Sequence, residues 1–198
     1  MNTANEPTPN GLGIMVDIES LDLGPRSVVT QIAFVAFPLD DPDTVVKEVN
    51  EFLPIQPQLA LNRTMSASTI LWWMTQSDDA RGLFQYNDGD DLDELLAMVR
   101  SVSRKFTQSL AGFPSYEVWA RGPQFDIVNL ESLLIDCGES VPWKYDRVRD
   151  LRTIMGAANL KTADVVPSRE FTKHVAIEDC YFQIECLYAA HRKLAGGK

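Results

Sequence analysis

Two carboxylates that follow an apolar run are the first residues in the sequence with an evident chemical use. Asp17 and Glu19 come after the apolar residues 12–16, and residues two apart on a strand project from the same face. Paired carboxylates suit Mg²⁺, which prefers oxygen ligands and is commonly held by one or two carboxylates, water and substrate phosphates. The chain has 28 acidic residues, so we interpret the similar triplets at residues 41–43 and 91–93 as solvated surface. The apolar strand before them makes Asp17 and Glu19 the candidate metal ligands.

Three further residues could complete such a site. Asp126 follows a turn and begins a helical pattern, which is where ligand sites of α/β sheets collect; the simpler interpretation is a helix N-terminal charge. His174 and Asp179 are five positions apart, which on one continuous helix would point them about 140° apart. A shared site therefore requires His174 in the loop before the helix and Asp179 in its first turns. Histidine can take a proton from water near neutral pH. We interpret His191, the other histidine, as a surface residue.

Net charge limits how the chain could bind nucleic acid. A formal charge of -10 argues against a broad basic surface, because phosphate neutralisation by Lys and Arg is the usual source of affinity. Divalent cations held by clustered carboxylates would reverse the sign of the charge locally. The overall charge therefore leaves the partner undecided.

Cysteine usage and the N-terminus indicate the compartment. Cys137, Cys180 and Cys186 match neither a zinc ribbon nor a redox pair, so we expect buried, reduced thiols in a cytoplasmic protein. Residues 1–10 have no basic stretch and apolar core of a secretory signal, and we predict that they are disordered or extended. Residues 11–198 are predicted to form a single domain, and no apolar run approaches the roughly 20 residues of a membrane span.

The order of predicted elements indicates an α/β fold. Alternation and breakers predict strands over residues 12–17, 28–37 and 44–53, followed by a helix capped by Ser66 or Ser68. Further elements are predicted as a helix over 90–110, a strand over 116–120, a helix over 125–135, a strand over 145–151 and a helix over 175–194. This order predicts a mixed sheet, with three antiparallel strands and then strand-helix units, flanked by helices.

Three motifs in this order resemble those of a known enzyme family. The motifs are Asp17-Ile18-Glu19, Phe125-Asp126 and the segment from His174 to Asp179. They resemble the motifs of the DEDDh, or DnaQ-like, exonucleases of the ribonuclease H-like superfamily, and the resemblance spans about residues 11–194. Residues 68–73, Gln76 and residues 150–153 resemble a small phage and bacterial branch of that family. The resemblance implies a ribonuclease H-like fold.

The resemblance also implies an activity and a set of roles. Members are metal-dependent 3′-to-5′ exonucleases that release nucleoside 5′-monophosphates from single-stranded DNA or RNA. His174 would be the general base, and two Mg²⁺ or Mn²⁺ ions would be bound by Asp17, Glu19, Asp126 and Asp179. Ser20 and Leu21 stand where many members have Thr and Gly, and would contact the terminal nucleotide. Asp150 matches a structural aspartate, and the Trp72-Trp73 pair is interpreted first as core packing and second as a substrate platform.

Other functions remain open from the sequence. One alternative is a non-catalytic binding module of the same fold. Such a module would be expected to have lost a motif residue, whereas all five are present in this sequence. A second alternative is an endonuclease or integrase-like enzyme of this fold, against which the spacing of His174 and Asp179 argues. The sequence contains no glycine-rich phosphate loop of a nucleotide switch. The sequence does not distinguish DNA from RNA as the substrate. An isologous homodimer is inferred only because related enzymes are often homodimers.

Overall fold

A computed structural model describes residues 11–41 and 43–196. The predicted N-terminal segment 1–10 lies outside the described residues. The strands are β1 (Leu12–Ser20), β2 (Val29–Pro38), β3 (Lys47–Phe52), β4 (Tyr116–Ala120) and β5 (Val148–Asp150). The α-helices are α1 (Ile55–Ala60), α2 (Ala67–Trp73), α3 (Asp78–Gly82), α4 (Leu92–Ser109), α5 (Asp126–Asp136), α6 (Leu151–Ala157) and α7 (Ala176–Leu194).

The strands form one mixed sheet in the order β3-β2-β1-β4-β5. β1 pairs antiparallel with β2, and β2 pairs antiparallel with β3. β4 lies parallel to both β1 and β5. Helices occupy the connections from β3 to β4 and from β4 to β5, which is the kind of crossover that parallel strands require. The predicted sheet of three antiparallel strands followed by strand-helix units is therefore confirmed.

Alternation along β1 divides the core into two layers. Ile14, Val16 and Ile18 lie on the face that packs against α4 and α5. Met15 lies on the opposite face, which packs against α6 and α7. Because Asp17 and Glu19 share the parity of Met15, their side chains belong to the α7 side of the sheet. All ten residues of β2 are buried, as expected for a strand covered on both faces.

Some predicted boundaries are wrong. β1 continues to Ser20, so Asp17 and Glu19 lie within the strand rather than at its end. The predicted strand over 145–151 is a 3₁₀ turn followed by the three residues of β5, because Asp150 ends the strand by capping α6. The Asp150 carboxylate accepts hydrogen bonds from the Arg152 N–H (3.0 Å) and the Thr153 hydroxyl (2.7 Å). α1 and α6, which have six and seven residues, were not predicted from the sequence.

Other local predictions agree with the structure. Ser66 is the cap of α2, and its hydroxyl accepts a hydrogen bond from the Thr69 N–H at 3.2 Å. The three cysteines are free and buried, as expected for thiols that pack as small apolar groups. His191 is exposed near the end of α7. In the part of the chain that is described, no helix has the length and apolar character of a bilayer span.

Candidate active site

Asp17 and Glu19 project from β1 toward α7. Gln183 on α7 donates a hydrogen bond from its Nε2 to Oδ1 of Asp17 at 2.6 Å, and this fixes one ligand candidate relative to the helix. The Gln183 Oε1 atom is buried and has no hydrogen-bond partner among the described residues. Gln183 was not among the residues predicted from the sequence, although its position four residues after Asp179 places the two side chains on one helix face.

Asp126 is brought to the sheet by a sharp turn after β4. Gly122 has φ +114°, and a Cβ at this position would lie 2.7 Å from the Arg152 guanidinium. The backbone conformation of the turn therefore favours glycine, and the flexible end of the Arg152 side chain occupies the space that a Cβ would fill. Asp126 is the first residue of α5, is buried, and is hydrogen-bonded by the backbone of Ile18 on β1. Its carboxylate is thus held against the strand that carries Asp17 and Glu19.

His174 and Asp179 meet because the chain bends before α7. His174 has φ +65°, a left-handed conformation that is uncommon for residues other than glycine. Its backbone N–H donates to Oδ2 of Asp179 at 2.8 Å, and Asp179 lies in the first turn of α7. The arrangement agrees with the expectation that His174 lies in the loop and Asp179 in the first turns of the helix.

A glutamine on β2 anchors the start of α7. The Oε1 atom of Gln31 accepts a hydrogen bond from the Ala176 N–H at 3.0 Å, and its Nε2 donates to Oδ1 of Asn50 at 2.7 Å. Val175, the cap residue of α7, supplies no side-chain hydrogen bond, so Gln31 satisfies a backbone N–H that the helix leaves open. Gln31 pairs with Glu19 in the β1–β2 register. The sequence holds no local signal for this contact, because it depends on strand pairing.

The structure brings the five candidate residues into one cluster. Ligand atoms of Glu19, His174 and Asp179 all lie within 4.8 Å of one another. Asp17 interacts electrostatically with the other three carboxylates, and Asp126 with Asp179. The described part of the chain therefore contains four carboxylates and one imidazole at the edge of the sheet where β1, β4 and α7 meet.

Burial and mutual repulsion shift the titration of these carboxyl groups. Burial raises the pKa of Asp17 and of Glu19 well above the usual range, and the neighbouring carboxylates raise both further. Burial also raises the pKa of Asp126 to about 7, opposed first by the backbone hydrogen bond from Ile18 and then by Arg152. Burial raises the pKa of Asp179 as well, opposed first by the backbone hydrogen bond from His174 and then by the charges of His174 and Arg121. Clustered carboxylates do not all ionise in such a place unless a cation compensates them. The donor set therefore fits hard divalent ions, which accept carboxylate oxygens.

His174 lies between the acidic cluster and two tryptophans. Its ring makes edge contacts with Trp72 (4.8 Å between centroids) and Trp73 (6.1 Å). Burial is the main cause that lowers the pKa of His174, while Asp179 opposes the shift. The imidazole is therefore neutral at neutral pH and can accept a proton.

An apolar cavity of about 350 Å³ opens beside Glu19. Its lining includes Ser20, Leu23, Trp72 and Phe125. Of the two residues predicted to contact a terminal nucleotide, Ser20 lines this cavity. Leu21 is not among the lining residues and instead packs with Val28, Trp73 and Ala80 in a small buried cluster.

The two tryptophans differ in their surroundings. Trp73 is buried and its indole N–H donates to the Ser20 carbonyl at 2.8 Å, so this residue is part of the core as predicted. Both tryptophans line the cavity, but Trp72 is 42% exposed, so core packing was the wrong interpretation for it. The reason is that adjacent residues on a helix point about 100° apart, so only one of them faces the core.

Comparison with known proteins identifies the family. A family model described as the 3′-5′ exoribonuclease Rv2179c-like domain matches residues 13–190. The chain belongs to this family. Membership confirms the predicted class of enzyme, a 3′-to-5′ exonuclease. The exodeoxyribonuclease of Enterobacteria phage T4 is 26% identical over 209 residues, which cover 92% of this chain and 90% of the phage protein.

Solved structures agree with this family in fold. Exonuclease I of E. coli, solved with a dA16 oligonucleotide, matches with a TM-score of 0.63 and 13% identity over 95% of this chain. The match covers 41% of the exonuclease I chain, so the present chain spans about two fifths of that protein. The nuclease domain of 3′hExo, a DEDDh family member solved with rAMP, matches with a TM-score of 0.52 and 10% identity over 93% of this chain and 92% of that domain. The predicted ribonuclease H-like fold is confirmed.

Proposed function

We propose that this exonuclease hydrolyses single-stranded nucleic acid from the 3′ end by a two-metal mechanism and releases nucleoside 5′-monophosphates. The observation that carries the proposal is the convergence of Asp17, Glu19, Asp126 and Asp179 on one site beside His174. The fold neighbours support the choice of partner, since exonuclease I was solved with a single-stranded oligonucleotide and the 3′hExo domain with a ribonucleotide.

The four carboxylates would hold two divalent cations, with Mg²⁺ or Mn²⁺ as the candidates. When bound, such cations would supply positive charge beside the reacting oxygens and would make a water molecule more acidic. His174 would accept a proton from the attacking water, for which its neutral imidazole is suited. The hydrogen bond from the His174 backbone to Asp179 fixes the base relative to a metal ligand. The edge contact with Trp72 restricts rotation of the imidazole.

The Trp-lined cavity is the proposed position of the 3′-terminal nucleotide. It adjoins Glu19, is lined by Trp72 and Phe125, and therefore offers aromatic surface beside the reacting phosphate. Bases stack on aromatic side chains with little dependence on sequence. Ser20, at the rim of the metal site, is the proposed polar contact to the terminal sugar. Leu21 contributes by packing beneath the cavity against Trp73.

A ladder assay tests the proposed function directly. Single-stranded DNA and RNA of the same sequence, labelled at the 5′ end, are incubated with Mg²⁺, with Mn²⁺ or with EDTA. We expect the labelled strands to shorten by one nucleotide at a time, and only when metal is present. The strand that is shortened faster identifies the preferred nucleic acid. Cleavage that persists in EDTA contradicts the metal mechanism, and absence of any cleavage favours the non-catalytic binding module.

Replacing Trp72 by Ala is expected to raise KM for a single-stranded oligonucleotide about tenfold, because stacking of one base on an aromatic residue contributes roughly 1–3 kcal/mol. Steady-state kinetics on the substrate preferred in the ladder assay measure the effect. Leu71→Ala is the matched control, since Leu71 is an exposed neighbour on α2 outside the cavity lining. A loss confined to kcat would instead assign Trp72 to the positioning of His174.

The stability of the metal-free protein is expected to fall as pH rises. The raised carboxyl pKa values mean that the folded state binds more protons than the unfolded chain between about pH 4 and the raised values, which include about 7 for Asp126. Their contribution to the free energy of unfolding is therefore fully present below about pH 4 and is lost as pH rises through these values. Mg²⁺ is expected to offset the loss, because it binds the ionised carboxylates.

Thermal unfolding with EDTA and with Mg²⁺, at about pH 5.5 and about pH 8, measures this linkage. We expect Mg²⁺ to raise Tm more at the higher pH, and Asp17→Asn to reduce the pH dependence in EDTA. An equal Mg²⁺ shift at both pH values would show that the cation binds groups other than these carboxylates.

We also propose three general properties of the protein. These are a single domain over residues 11–198, a cytoplasmic location and an isologous homodimer. Light scattering on the purified chain decides the last of them.

A further inference from the structure

We propose that a second cavity at the site binds the substrate phosphate that lies one nucleotide upstream of the scissile bond. This inference rests on the proposed function. The cavity has a volume of about 420 Å³, and its lining includes Arg121, Thr162, Phe171, Lys173, His174 and Asp179. Arg121 and Lys173 lie outside the three sequence motifs, so the motifs assign them no role in substrate binding.

The cavity is separate from the Trp-lined cavity, and both adjoin the acidic cluster. The two cavities share no lining residue. Glu19 lines the first, whereas His174 and Asp179 line the second, and ligand atoms of these three residues lie within 4.8 Å of one another. The metal-ligand candidates are therefore the boundary between the two spaces.

The chemistry of the reaction requires two such spaces. Hydrolysis breaks the bond between the scissile phosphorus and the 3′ oxygen of the penultimate nucleotide, so the terminal nucleotide and the rest of the strand leave the phosphate in different directions. If the terminal base occupies the Trp-lined cavity, the penultimate nucleotide and its 5′ phosphate extend toward the second cavity. A phosphate there needs positive charge, because the protein as a whole has a net charge of -10.

Arg121 and Lys173 supply that charge. Both side chains are exposed, and neither takes part in an ion pair with any described residue. Arg121 Nη2 donates to the Thr162 hydroxyl at 3.1 Å, which orients the guanidinium and leaves further N–H groups for an anion. Arg121 directly follows β4, so the strand that leads to Asp126 also fixes the position of this cation.

A pair of dinucleotides isolates the proposed contact. The two substrates are identical except that one has a 5′ phosphate and the other a 5′ hydroxyl, and both contain the same scissile phosphate. They are used as DNA or RNA, whichever the wild-type protein shortens faster, with released mononucleotide measured by chromatography. The quantity compared is the ratio of kcat/KM for the phosphorylated over the unphosphorylated dinucleotide.

We expect the wild-type protein to prefer the phosphorylated dinucleotide and Arg121→Gln to lower this ratio about tenfold, as expected for loss of a charge-assisted hydrogen bond. Lys173→Gln is expected to lower it less, because lysine acts on phosphate as a point charge. On a longer oligonucleotide, Arg121→Gln is expected to make the slope of log(kcat/KM) against log salt about 0.7 less negative. Arg104→Gln on α4 makes the same charge change on the other side of the sheet and is expected to leave the ratio and the slope unchanged.

Three results overturn the inference. A wild-type ratio near one means that no upstream phosphate is recognised. An equal loss on both dinucleotides in Arg121→Gln, with an unchanged ratio, assigns Arg121 to the scissile phosphate or to Asp179. A wild-type protein that hydrolyses neither dinucleotide nor any longer strand in Mg²⁺ or Mn²⁺ contradicts the proposed function itself, which separates this failure from the other two. Thermal unfolding of each variant identifies any that has lost its fold.

Discussion

Replacing Asp17 with Asn is expected to reduce exonuclease activity by more than about 10³-fold. Loss of a single electrostatic contact to a transition state commonly lowers the rate by about 10²–10³-fold, and loss of a metal ligand weakens several such contacts at once. Asparagine keeps the size of the side chain and an oxygen that can accept the hydrogen bond from Gln183. The change removes a charge that repels the neighbouring carboxylates. We therefore expect the variant to be at least as heat-stable as the wild-type protein in EDTA.

The measurement combines the ladder assay with thermal unfolding. Asp179→Ala is expected to lose activity to a similar extent. Asp93→Asn is the matched control, because Asp93 belongs to another acidic triplet that is exposed at the start of α4. Full activity in Asp17→Asn would remove the metal-site proposal, whereas activity lost together with the fold would leave Asp17 with a structural role.

Replacing His174 is expected to lower kcat by roughly 10²-fold or more, the scale of a lost general base. Asparagine is the better replacement, since His174 has φ +65° and asparagine adopts this conformation more readily than alanine. The backbone hydrogen bond to Asp179 should then persist. With Mg²⁺ saturating at each pH, the rate of the wild-type protein is expected to fall in acid as His174 becomes protonated below its ordinary pKa range, and this limb should disappear in the variant. Protonation of the carboxylates, whose pKa values are raised, gives a separate acid limb that added Mg²⁺ shifts in both proteins.

Single-turnover kinetics as a function of pH and of Mg²⁺ concentration make the comparison. His191→Asn is the control, because it changes the other histidine at an exposed position of α7. An unchanged rate in His174→Asn means that another group is the base. A much larger Mg²⁺ requirement with a preserved pH limb would make His174 a metal ligand, a role that its distance to Glu19 and Asp179 also permits.

The convergence of the five candidate residues could be predicted because its signals are local, whereas their roles as metal ligands and general base stay a prediction. Asp17 and Glu19 alternate with the buried residues of one strand, and Asp126 begins a helix after a glycine turn. The five-residue spacing of His174 and Asp179 excludes a common helix face, so the loop position of His174 followed from helix geometry together with the expectation that the two residues share a site. The order of the strands and helices then predicted the mixed sheet.

Short elements escaped prediction for the opposite reason. α1 has six residues and contains Pro57, which indicates a break rather than a helix, and the predicted strand over 145–151 extended into the first residue of α6. Helices of this length depend on tertiary packing. β5 has three residues, and its boundary is set by the Asp150 cap rather than by apolar alternation.

By itself, the sequence determined the chemical groups of the site, their order, and the fold that brings them together. Only the tertiary structure decided which other residues surround them: Gln31 reaches the start of α7 through the β1–β2 register, and Trp72 reaches His174 because α2 packs beside the end of β1. Arg121 and Lys173 likewise share a cavity although they are far apart in the chain. The physical reason is that motif residues are specified by spacing within one element, whereas their neighbours depend on how separate elements pack.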